Sequence, residues 1–376
     1  MILAIVVFIF ILSFLVIIHE FAHFILAKKM GVKVEEFGIG YPPAVWKKRI
    51  GETLYSINII PIGGFVKLYG EEGESSIKEE RSFASKSPLQ RAVIITGGVA
   101  MNFLVAVIIF YFMLWSSGFS SQIPLIFDYK FPFGEQRNSP MIIGVAKDSP
   151  ADYAGLRSQD LIVEGNGMQF KNSREFIEFI DENKGKEVTL VVKNLISGKT
   201  RQVKAIPRVN PPKNEGALGV AIDDISEISY QKPWEKLTAG FLHSLNLSHY
   251  SLVGLGYYVK VSLSQRNVEP LASSVVGPVG ILALTRITLQ EGIYQIVLLI
   301  ALVSLALCIV NILPIPPLDG GRLVFIFSEA ITGKRVSPKI EERVQQIGMI
   351  FFIILFILVT SKDIFQFKDI LFKGLF

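Results

Sequence analysis

Long apolar stretches without charged side chains divide this chain into segments that can cross a membrane and segments that cannot. Residues 1–18 carry no charged side chain, and the apolar character continues to residue 27 around a short polar interruption. A helix needs about 20 predominantly apolar residues to cross a bilayer. Comparable stretches recur along the chain, so the pattern predicts four transmembrane helices, at 1–27, 92–115, 292–321 and 344–360.

Between the second and third of these spans, short apolar runs alternate with charged residues and turn signals. Ser149 followed by a proline is typical of a helix start. We expect the elements that follow to be a short helix and two strands, at 174–181, 187–193 and 200–206. Together with Asp160-Leu161-Ile162 and Asn166-Gly167, this order resembles a bacterial PDZ domain. The resemblance implies one extracytoplasmic α+β domain, at 138–209, of the kind that pairs an extended peptide with a sheet edge.

Residues 53–69 are predicted to be extended, because β-branched and aromatic residues dominate and Pro61 and Gly63-Gly64 interrupt any helix. One interpretation is an ordinary cytoplasmic hairpin. The other is a re-entrant β-loop whose strand edge lies beside the first helix and holds a substrate by main-chain pairing. A helical substrate buries its peptide bonds, so it must unwind before water can attack them. The sequence leaves both interpretations open.

Residues 237–259 contain no formally charged side chain, but histidine, serine and asparagine interrupt the run. That mixture is typical of a helix on the membrane surface, and we assign it to an extracytoplasmic amphipathic segment, 210–291. His243 and His249 do not share a helical face, so they are a poor pair of metal ligands. The remaining segments are interpreted as connections, namely a linker at 116–137, a cytoplasmic loop at 322–343 and an extracytoplasmic tail at 361–376.

The distribution of lysine and arginine predicts the orientation in the membrane. Lys28, Lys29 and Lys33 follow the first span closely, and Lys47-Lys48-Arg49 comes soon after. Basic residues near a span mark the cytoplasmic side, so the loop 28–91 is predicted to be cytoplasmic. Both chain termini are then predicted to be extracytoplasmic, and the histidines of the first helix lie toward its cytoplasmic end.

The composition is typical of a membrane protein and argues against a nucleic-acid partner. The hydrophobic fraction is 50%, the mean hydropathy is +0.45 and the net charge is +5. These values are typical of several spans with basic loops, and no basic-aromatic block suggests nucleic acid. The single cysteine, Cys308, excludes an internal disulfide. The first segment lacks a basic start and a small-residue cleavage site, so we expect an uncleaved helix rather than a signal peptide.

The first span contains His19-Glu20-Phe21-Ala22-His23, the strongest chemical signal in the chain. Residues four apart share a helical face, so the two imidazoles can bind one metal ion, with Glu20 placed to take a proton from water. A carboxylate on a spanning helix costs about 2.5–3.5 kcal/mol on insertion scales. Polar groups there normally face the bundle interior or a water pocket and have a function. The pattern therefore favours a metal site over stray polar residues.

A third ligand is expected from the far end of the chain. The segment Asn311-Ile312-Leu313-Pro314-Ile315-Pro316-Pro317-Leu318-Asp319-Gly320 ends the third span, and its prolines force the chain out of regular helix. The predicted topology brings the cytoplasmic ends of the first and third spans together, so Asp319 can join His19 and His23. Two imidazoles and one carboxylate form the ligand set of a hydrolytic zinc site. The alternative is a cytoplasmic site in which Glu35 or Glu36 is the third ligand.

These motifs closely resemble the site-2 protease family of intramembrane zinc metalloproteases, in particular the bacterial group typified by regulator-of-sigma-E protease. The resemblance covers essentially the whole chain, including Gly98-x-x-x-Asn102 in the second span and Gly277-Pro278-Val279-Gly280. It implies that His19, His23 and Asp319 hold Zn²⁺ and that Glu20 is the catalytic base. It also implies that Asn311 and Asn102 help hold the substrate, and that Gly63-Gly64 lies in the re-entrant loop. For Gly98-x-x-x-Asn102, plain helix–helix packing is the alternative.

The same resemblance implies a zinc metalloendopeptidase of the bacterial cytoplasmic membrane. Its substrates would be single-pass membrane proteins, such as an anti-sigma factor already cut outside the membrane, or signal-peptide remnants. This chain departs from the family pattern in two places, with Gly97-Gly98 where many relatives have Gly-Pro, and with one PDZ domain where enterobacterial members have two. The competing hypothesis is a membrane-anchored PDZ scaffold whose metal site is idle.

Overall fold

The structure is a computed structural model, and it describes residues 1–71, 79–195 and 198–372. Residues 72–78 of the predicted cytoplasmic loop and 373–376 of the predicted tail lie outside the described residues. The chain forms two compact units, which we call the helical unit (Met1–Tyr111 with Leu247–Phe376) and the sheet domain (Phe112–Asn246). Each is described by itself below.

The helices are α1 (Ile2–Lys29), α2 (Pro88–Ser116), α3 (Pro150–Tyr153), α4 (Ser173–Glu182), α5 (Pro233–Leu237), α6 (Ala239–Gln265), α7 (Glu269–Ser274), α8 (Pro278–Glu291), α9 (Ile293–Ile312), α10 (Asp319–Thr332) and α11 (Pro338–Phe372). The strands are β1 (Val34–Ile50), β2 (Thr53–Leu68), β3 (Ser120–Leu125), β4 (Glu135–Val145), β5 (Asp160–Gly165), β6 (Val188–Asn194), β7 (Thr200–Ala205) and β8 (Val220–Ser229). A short 3-10 helix covers Phe83–Ser85.

Within the described residues, four helices are long and apolar enough to cross a membrane. They are α1, α2, α9 and the part of α11 from Lys339 to Leu371. Each contains a run of about 18 or more residues without a charged side chain, which is close to the length that a helix needs to cross a bilayer. Lys28 and Lys29 lie in the last turn of α1, where their charge complements the carbonyl end of the helix. The prediction of four membrane helices is confirmed at this level of length and composition.

A long antiparallel hairpin, β1 and β2, lies against α1 in the helical unit. Both strands bend, so the hairpin folds into a small sheet of four segments in the order 46–50, 53–57, 34–39 and 64–68. The segment 64–68 therefore lies at one edge of this sheet. The predicted extended segment 53–69 therefore corresponds to β2. The hairpin exposes large apolar side chains, among them Tyr41, Trp46, Ile57 and Ile60.

The sheet domain is an antiparallel six-stranded sheet with strand order β3-β8-β4-β5-β6-β7. Its core joins the inward residues of the strands to one face of α4, including Ile162, Leu190 and Phe176, which are at most 1% exposed. Ser149 caps α3 by accepting a hydrogen bond from the Asp152 main-chain N–H at 3.2 Å. The helix and strands predicted at 174–181, 187–193 and 200–206 are observed as α4, β6 and β7. Their order is that of a PDZ-like domain.

The sheet extends beyond the predicted boundaries of 138–209 at both ends. The segment 116–137, predicted to be a linker, contains β3 and the start of β4, and the segment 210–291, predicted to lie on the membrane surface, contains β8. Strands β3 and β8 pair with each other, and β8 also pairs with β4. These pairings join residues about a hundred positions apart in sequence, so local pattern could not show them.

Three polar residues near the start of α6 are buried in the sheet domain, whereas a helix on a membrane surface would expose its polar side chains. His243, Ser244 and Asn246 are at most 3% exposed. The Asn246 amide donates to the Phe133 carbonyl at 2.8 Å and to the Tyr230 hydroxyl at 3.0 Å. Polar side chains along an apolar helix can form their hydrogen bonds with protein groups as readily as with water. Burial lowers the pKa of His243 to about 4, so this residue is neutral.

Two segments predicted to be irregular are helical. Most of the predicted loop 322–343 belongs to α10 and to the start of α11, and the predicted tail 361–376 continues α11 as far as Phe372. No proline or glycine interrupts 361–372, so nothing ends the helix there. Asp363 in this part is fully buried and accepts hydrogen bonds from the main-chain N–H groups of Gly277 and Gly280 at 2.9 and 2.8 Å. The Asp363 carboxylate thus pairs with two main-chain N–H groups at the start of α8, which gives this polar residue of α11 its partners.

Candidate metal centre

The two histidines of α1 point in one direction, into the interior of the helical unit. Each is 7% exposed, and their Nε2 atoms lie 3.1 Å apart. The four-residue spacing produces this arrangement, because successive turns of a helix place such residues one above the other. A pair of buried imidazole nitrogens at this distance can share one metal ion.

Asp319 joins the pair from a distant part of the sequence. The chain leaves α9 at Leu313, passes through the proline-rich segment and re-enters helix at Asp319, the first residue of α10. The Oδ2 atom of Asp319 lies 3.0 Å from His19 Nε2 and 3.5 Å from His23 Nε2. Among the described residues, these three side chains form the one cluster of histidine, cysteine and acidic groups that could hold a metal ion.

The three atoms fit zinc. Bond lengths of about 2.0–2.1 Å in a tetrahedral site place neighbouring ligand atoms roughly 3.3 Å apart, and the observed separations run from 3.0 to 3.5 Å. Asp319 Oδ2 is buried and has no hydrogen-bond partner among the described residues. An unpaired buried carboxylate oxygen facing two imidazole nitrogens is costly unless a cation lies between them. The residues present therefore suit a divalent ion with nitrogen and oxygen ligands.

One face of α2 packs against the two histidines. The main-chain carbonyl of Ile94 lies 2.8 Å from His23 Nδ1, and the Asn102 side chain lies 3.3 Å from His19 Nδ1. Between them, a Cβ on Gly98 would lie 2.5 Å from His19 Nε2 and closer still to His23 Nε2. These residues are four apart and share one face. Gly98 thus leaves the space that the two rings occupy.

Glu20 lies beside the outer segment of the hairpin. A Cβ on Gly64 would lie 3.9 Å from Glu20 Cγ and 3.6 Å from the Ile17 side chain, so the glycine brings the strand close to α1. Gly63 has a φ of +78°, a conformation that favours glycine. The Ser13 hydroxyl donates to the Pro61 carbonyl at 2.6 Å, which ties the same part of β2 to the first helix. The Gly63-Gly64 segment is therefore next to the metal cluster.

The remaining sequence candidates lie apart from the cluster. Asn311 is in the last turn of α9 and is partly exposed. Glu35 forms an ion pair with Lys67 at 3.4 Å, and Glu36 accepts a hydrogen bond from Ser56 at 2.6 Å. Both glutamates belong to the hairpin, and neither is in the cluster of possible metal ligands. The arrangement thus favours Asp319 over the alternative third ligands.

Two ion pairs hold α10, the helix whose first residue is Asp319. Arg322, in the first turn of α10, pairs with Glu71 at the end of the hairpin, and Glu71 raises the pKa of Arg322. Arg91 at the start of α2 pairs with Glu329 of α10 at 2.5 Å, and its side chain is 4% exposed. These pairs fix α10 to the hairpin and to α2, and so hold the helix that carries Asp319.

Comparisons with known proteins agree with this chemistry. The sequence profile of peptidase family M50 matches residues 7–355. A Clostridium perfringens protein, whose name provisionally calls it a zinc metalloprotease, is 32% identical over 356 residues, covering 94% of this chain and 96% of that protein. The regulator of sigma-W protease RasP of Bacillus subtilis is 27% identical over 440 residues, covering 96% of this chain and 98% of that protein.

A solved structure also resembles part of the chain. The crystal structure of the PDZ domain of an SdrC-like protein from Listeria monocytogenes covers 25% of this chain and 93% of that one, with 27% identity and a TM-score of 0.21.

Proposed function

Because the chain belongs to peptidase family M50 and is an integral membrane metalloprotease, we propose that it cleaves single-pass membrane proteins within or beside their transmembrane segment. The observation that carries this proposal is the cluster of His19, His23 and Asp319 beside Glu20 on a helix long enough to cross the membrane. A soluble peptidase would not place a metal site on such a helix, since polar groups there are costly unless they have a function.

In the proposed site, His19, His23 and Asp319 hold zinc and Glu20 handles protons. A bound zinc ion would polarise the scissile carbonyl and make water a better nucleophile near neutral pH. Glu20 follows His19 directly, so its carboxylate lies at the edge of the cluster rather than within it. It takes a proton from the attacking water and delivers it to the leaving amine. Burial of the histidines keeps competing water away from the ligand atoms.

The hairpin beside Glu20 is proposed to hold the substrate. The segment 64–68 pairs with β1 along one side, and its other side pairs with no strand of the described residues. An extended chain added there would expose its peptide bonds beside Glu20, and Gly63-Gly64 would allow close approach. Asn311, at the end of α9, is proposed to contact the substrate from the opposite direction. The PDZ-like domain would recognise or exclude segments of the substrate outside the membrane.

For the substrate we propose an anti-sigma factor that another protease has already cut outside the membrane. The name of the Bacillus relative links that protein to sigma-W, and the basic residues after α1 suit a cytoplasmic position for the site in the bacterial inner membrane. Both chain termini would then be extracytoplasmic. Signal-peptide remnants are also single apolar helices with a free end. They are therefore the second class of substrate in the test.

The experiment is a cleavage assay with purified full-length protein, which also tests the idle scaffold hypothesis. The parent protein and Glu20→Gln are incubated in detergent with a transmembrane peptide, and products are located by mass spectrometry. We expect the parent to cut within or beside the apolar segment. Glu20→Gln should lower the rate by about 10²–10⁴-fold while it retains zinc, because the ligands are unchanged.

Equal cleavage by the parent and by Glu20→Gln would contradict the proposal and indicate another protease in the preparation. Absence of cleavage by a zinc-loaded parent, across anti-sigma and signal-peptide substrates, would favour the scaffold. A cut confined to the soluble part of every substrate would contradict the intramembrane position of the site.

A further inference from the structure

Each histidine of the cluster has its outer ring nitrogen directed at α2. For His23 the partner is the Ile94 main-chain carbonyl, 2.8 Å from Nδ1. A carbonyl oxygen only accepts hydrogen bonds, so Nδ1 of His23 must carry the proton. In a neutral imidazole, Nε2 is then a bare acceptor, and it faces Asp319 Oδ2. His23 is therefore held in the form that binds a metal through Nε2.

The partner of His19 is a side-chain amide rather than a carbonyl. Asn102 Nδ2 lies 3.3 Å from His19 Nδ1, and Asn102 Oδ1 is buried without a hydrogen-bond partner among the described residues. The two ends of an amide are told apart by the hydrogen bonds they make. Turned by half a rotation, Asn102 would present its oxygen to His19 Nδ1. This orientation pairs the Asn102 oxygen with the His19 Nδ1 proton, moves the amide nitrogen to the place of the oxygen, and gives His19 the same form as His23.

We propose that Asn102 is a positioning residue, whose side-chain oxygen accepts the Nδ1 proton of His19 and leaves Nε2 bare toward Asp319. The inference rests on the proposed metal centre and assigns one more residue to it. Two independent helical positions, Ile94 and Asn102, then orient the two ligands in the same way. A metal-bound histidine almost always donates its outer N–H to such a partner, and loss of the partner weakens metal binding.

The location of Asn102 favours this role over contact with a substrate. The residue is 1% exposed, its side chain lies beside His19 of α1, and its main-chain carbonyl faces α9. The Ser304 hydroxyl of α9 donates to the Asn102 main-chain carbonyl at 2.8 Å, and Ser304 is fully buried. A substrate chain could reach Asn102 only by separating α2 from α9. The contact with His19, in contrast, is already formed.

The test compares two substitutions of nearly equal size, Asn102→Leu and Asn102→Asp, in full-length protein in detergent. Zinc affinity is measured by competition with a chelator, which does not depend on catalytic activity. We expect Asn102→Leu to weaken zinc binding about 10–100-fold, because the His19 N–H is left unpaired. Asn102→Asp keeps an accepting oxygen and should stay within a few-fold of the parent. A packing role alone would make the buried carboxylate at least as harmful as leucine, and that result would overturn the inference.

A second measurement protects the test against variants that fold poorly. The chain has four histidines, so ¹⁵N spectra of their rings can be assigned in the zinc-loaded parent. We expect His19 and His23 to carry their protons on Nδ1. A proton on Nε2 of His19 would contradict the proposal regardless of how the variants behave. Ser304→Ala is the matched control, since it leaves the Asn102 side chain in place, and it should bind zinc like the parent.

The outcomes separate this inference from the proposed function. If the parent itself binds no zinc, the metal centre is wrong. If the parent binds zinc and Asn102→Leu binds it equally well, the metal centre stands and the role of Asn102 is wrong. An increase in KM for Asn102→Leu with unchanged zinc affinity would assign Asn102 to the substrate instead.

Discussion

Two aspartates with buried carboxylate oxygens, one in each unit of this protein, are surrounded in opposite ways. Asp160 of the sheet domain is fully buried and accepts hydrogen bonds from Arg201 at 2.5 and 3.1 Å, from the Arg157 main-chain N–H at 2.8 Å and from Asn194 at 3.1 Å. Asp319 of the helical unit has a buried Oδ2 that faces two imidazole nitrogens and has no hydrogen-bond partner among the described residues.

The contrast distinguishes a structural carboxylate from one that is prepared for a ligand. Asp160 has its compensating charge and donors within the fold, and these interactions offset the cost of burying the carboxylate. The groups around Asp319 are acceptors once Ile94 holds the His23 proton on Nδ1. Such a group of acceptors is stable only with a cation between them. The hydrogen-bond partners of a buried charge, rather than its burial, therefore indicate its role.

Asp319→Asn should give the largest effect and would sharpen the comparison. We expect zinc binding to be lost or greatly weakened and cleavage to fall by on the order of 10³-fold or more, since one of the three proposed ligands is removed. Zinc content after dialysis and the rate of peptide cleavage measure the two effects. The fold should persist, because Oδ2 of Asp319 has no hydrogen-bond partner among the described residues to lose. A variant that keeps its zinc and activity would restore Glu35 or Glu36 as the third ligand.

Asp160→Asn should have the opposite effects, namely a less stable sheet domain and unchanged zinc binding. We expect the sheet domain to lose about 2–3 kcal/mol of stability, because a buried carboxylate that receives charged hydrogen bonds is removed while Arg201 stays. Hydrogen exchange of the amides of β5 and β6 in the full-length protein reports the loss. Zinc content should match the parent. Unchanged exchange in this variant would break the comparison, because the two aspartates would then not differ in their contribution to folding.

Gly98→Ala should weaken the metal centre without touching any ligand atom. The added methyl group would overlap both imidazole rings, so the rings must shift, and we expect zinc affinity to fall about 10–100-fold. The matched control is Gly97→Ala on the same helix, whose methyl group would meet the flexible end of Leu26. Chelator competition compares the two. If both variants bind zinc equally well, Gly98 serves only helix packing, as the first interpretation of the sequence had it.

The smallest expected effect is that of pH on the stability of the sheet domain, through the Asp160 carboxyl group. Burial acts to raise the pKa of Asp160, but the hydrogen bonds from Arg201, the Arg157 main-chain N–H and Asn194 outweigh it and hold the pKa below its usual range. A carboxylate with a lowered folded-state pKa stabilises the protein above its unfolded pKa, near ~4. That contribution is lost as the pH falls below this value and through the folded pKa. Protection factors of the amides in β5 and β6, which correct exchange rates for their intrinsic pH dependence, should therefore fall between about pH 5 and pH 3 in the parent, and less steeply in Asp160→Asn.

Several features follow from the amino-acid sequence by itself. Charge-free runs of bilayer length specify the four membrane helices, because lipid accepts no unpaired backbone and few charges. The His19–His23 spacing specifies two imidazoles on one face, because the helical repeat is fixed by backbone geometry. The short helix and strands of the PDZ-like domain also follow from local pattern. In each case the physical cause acts between residues that are near neighbours in the chain.

Tertiary structure alone decided the rest. Strand β8 lies between β3 and β4, which no local pattern in 210–291 indicates, because strand pairing is set by packing across the sheet. The polar residues of α6 are compatible with water or with protein, and the fold placed them against Tyr230 and Phe133. Gly98 and Asn102 resemble ordinary helix packing in sequence, and only the approach of α2 to α1 puts them against the histidines. Long-range contacts of this kind depend on the whole chain, so the function of these residues emerges only after folding.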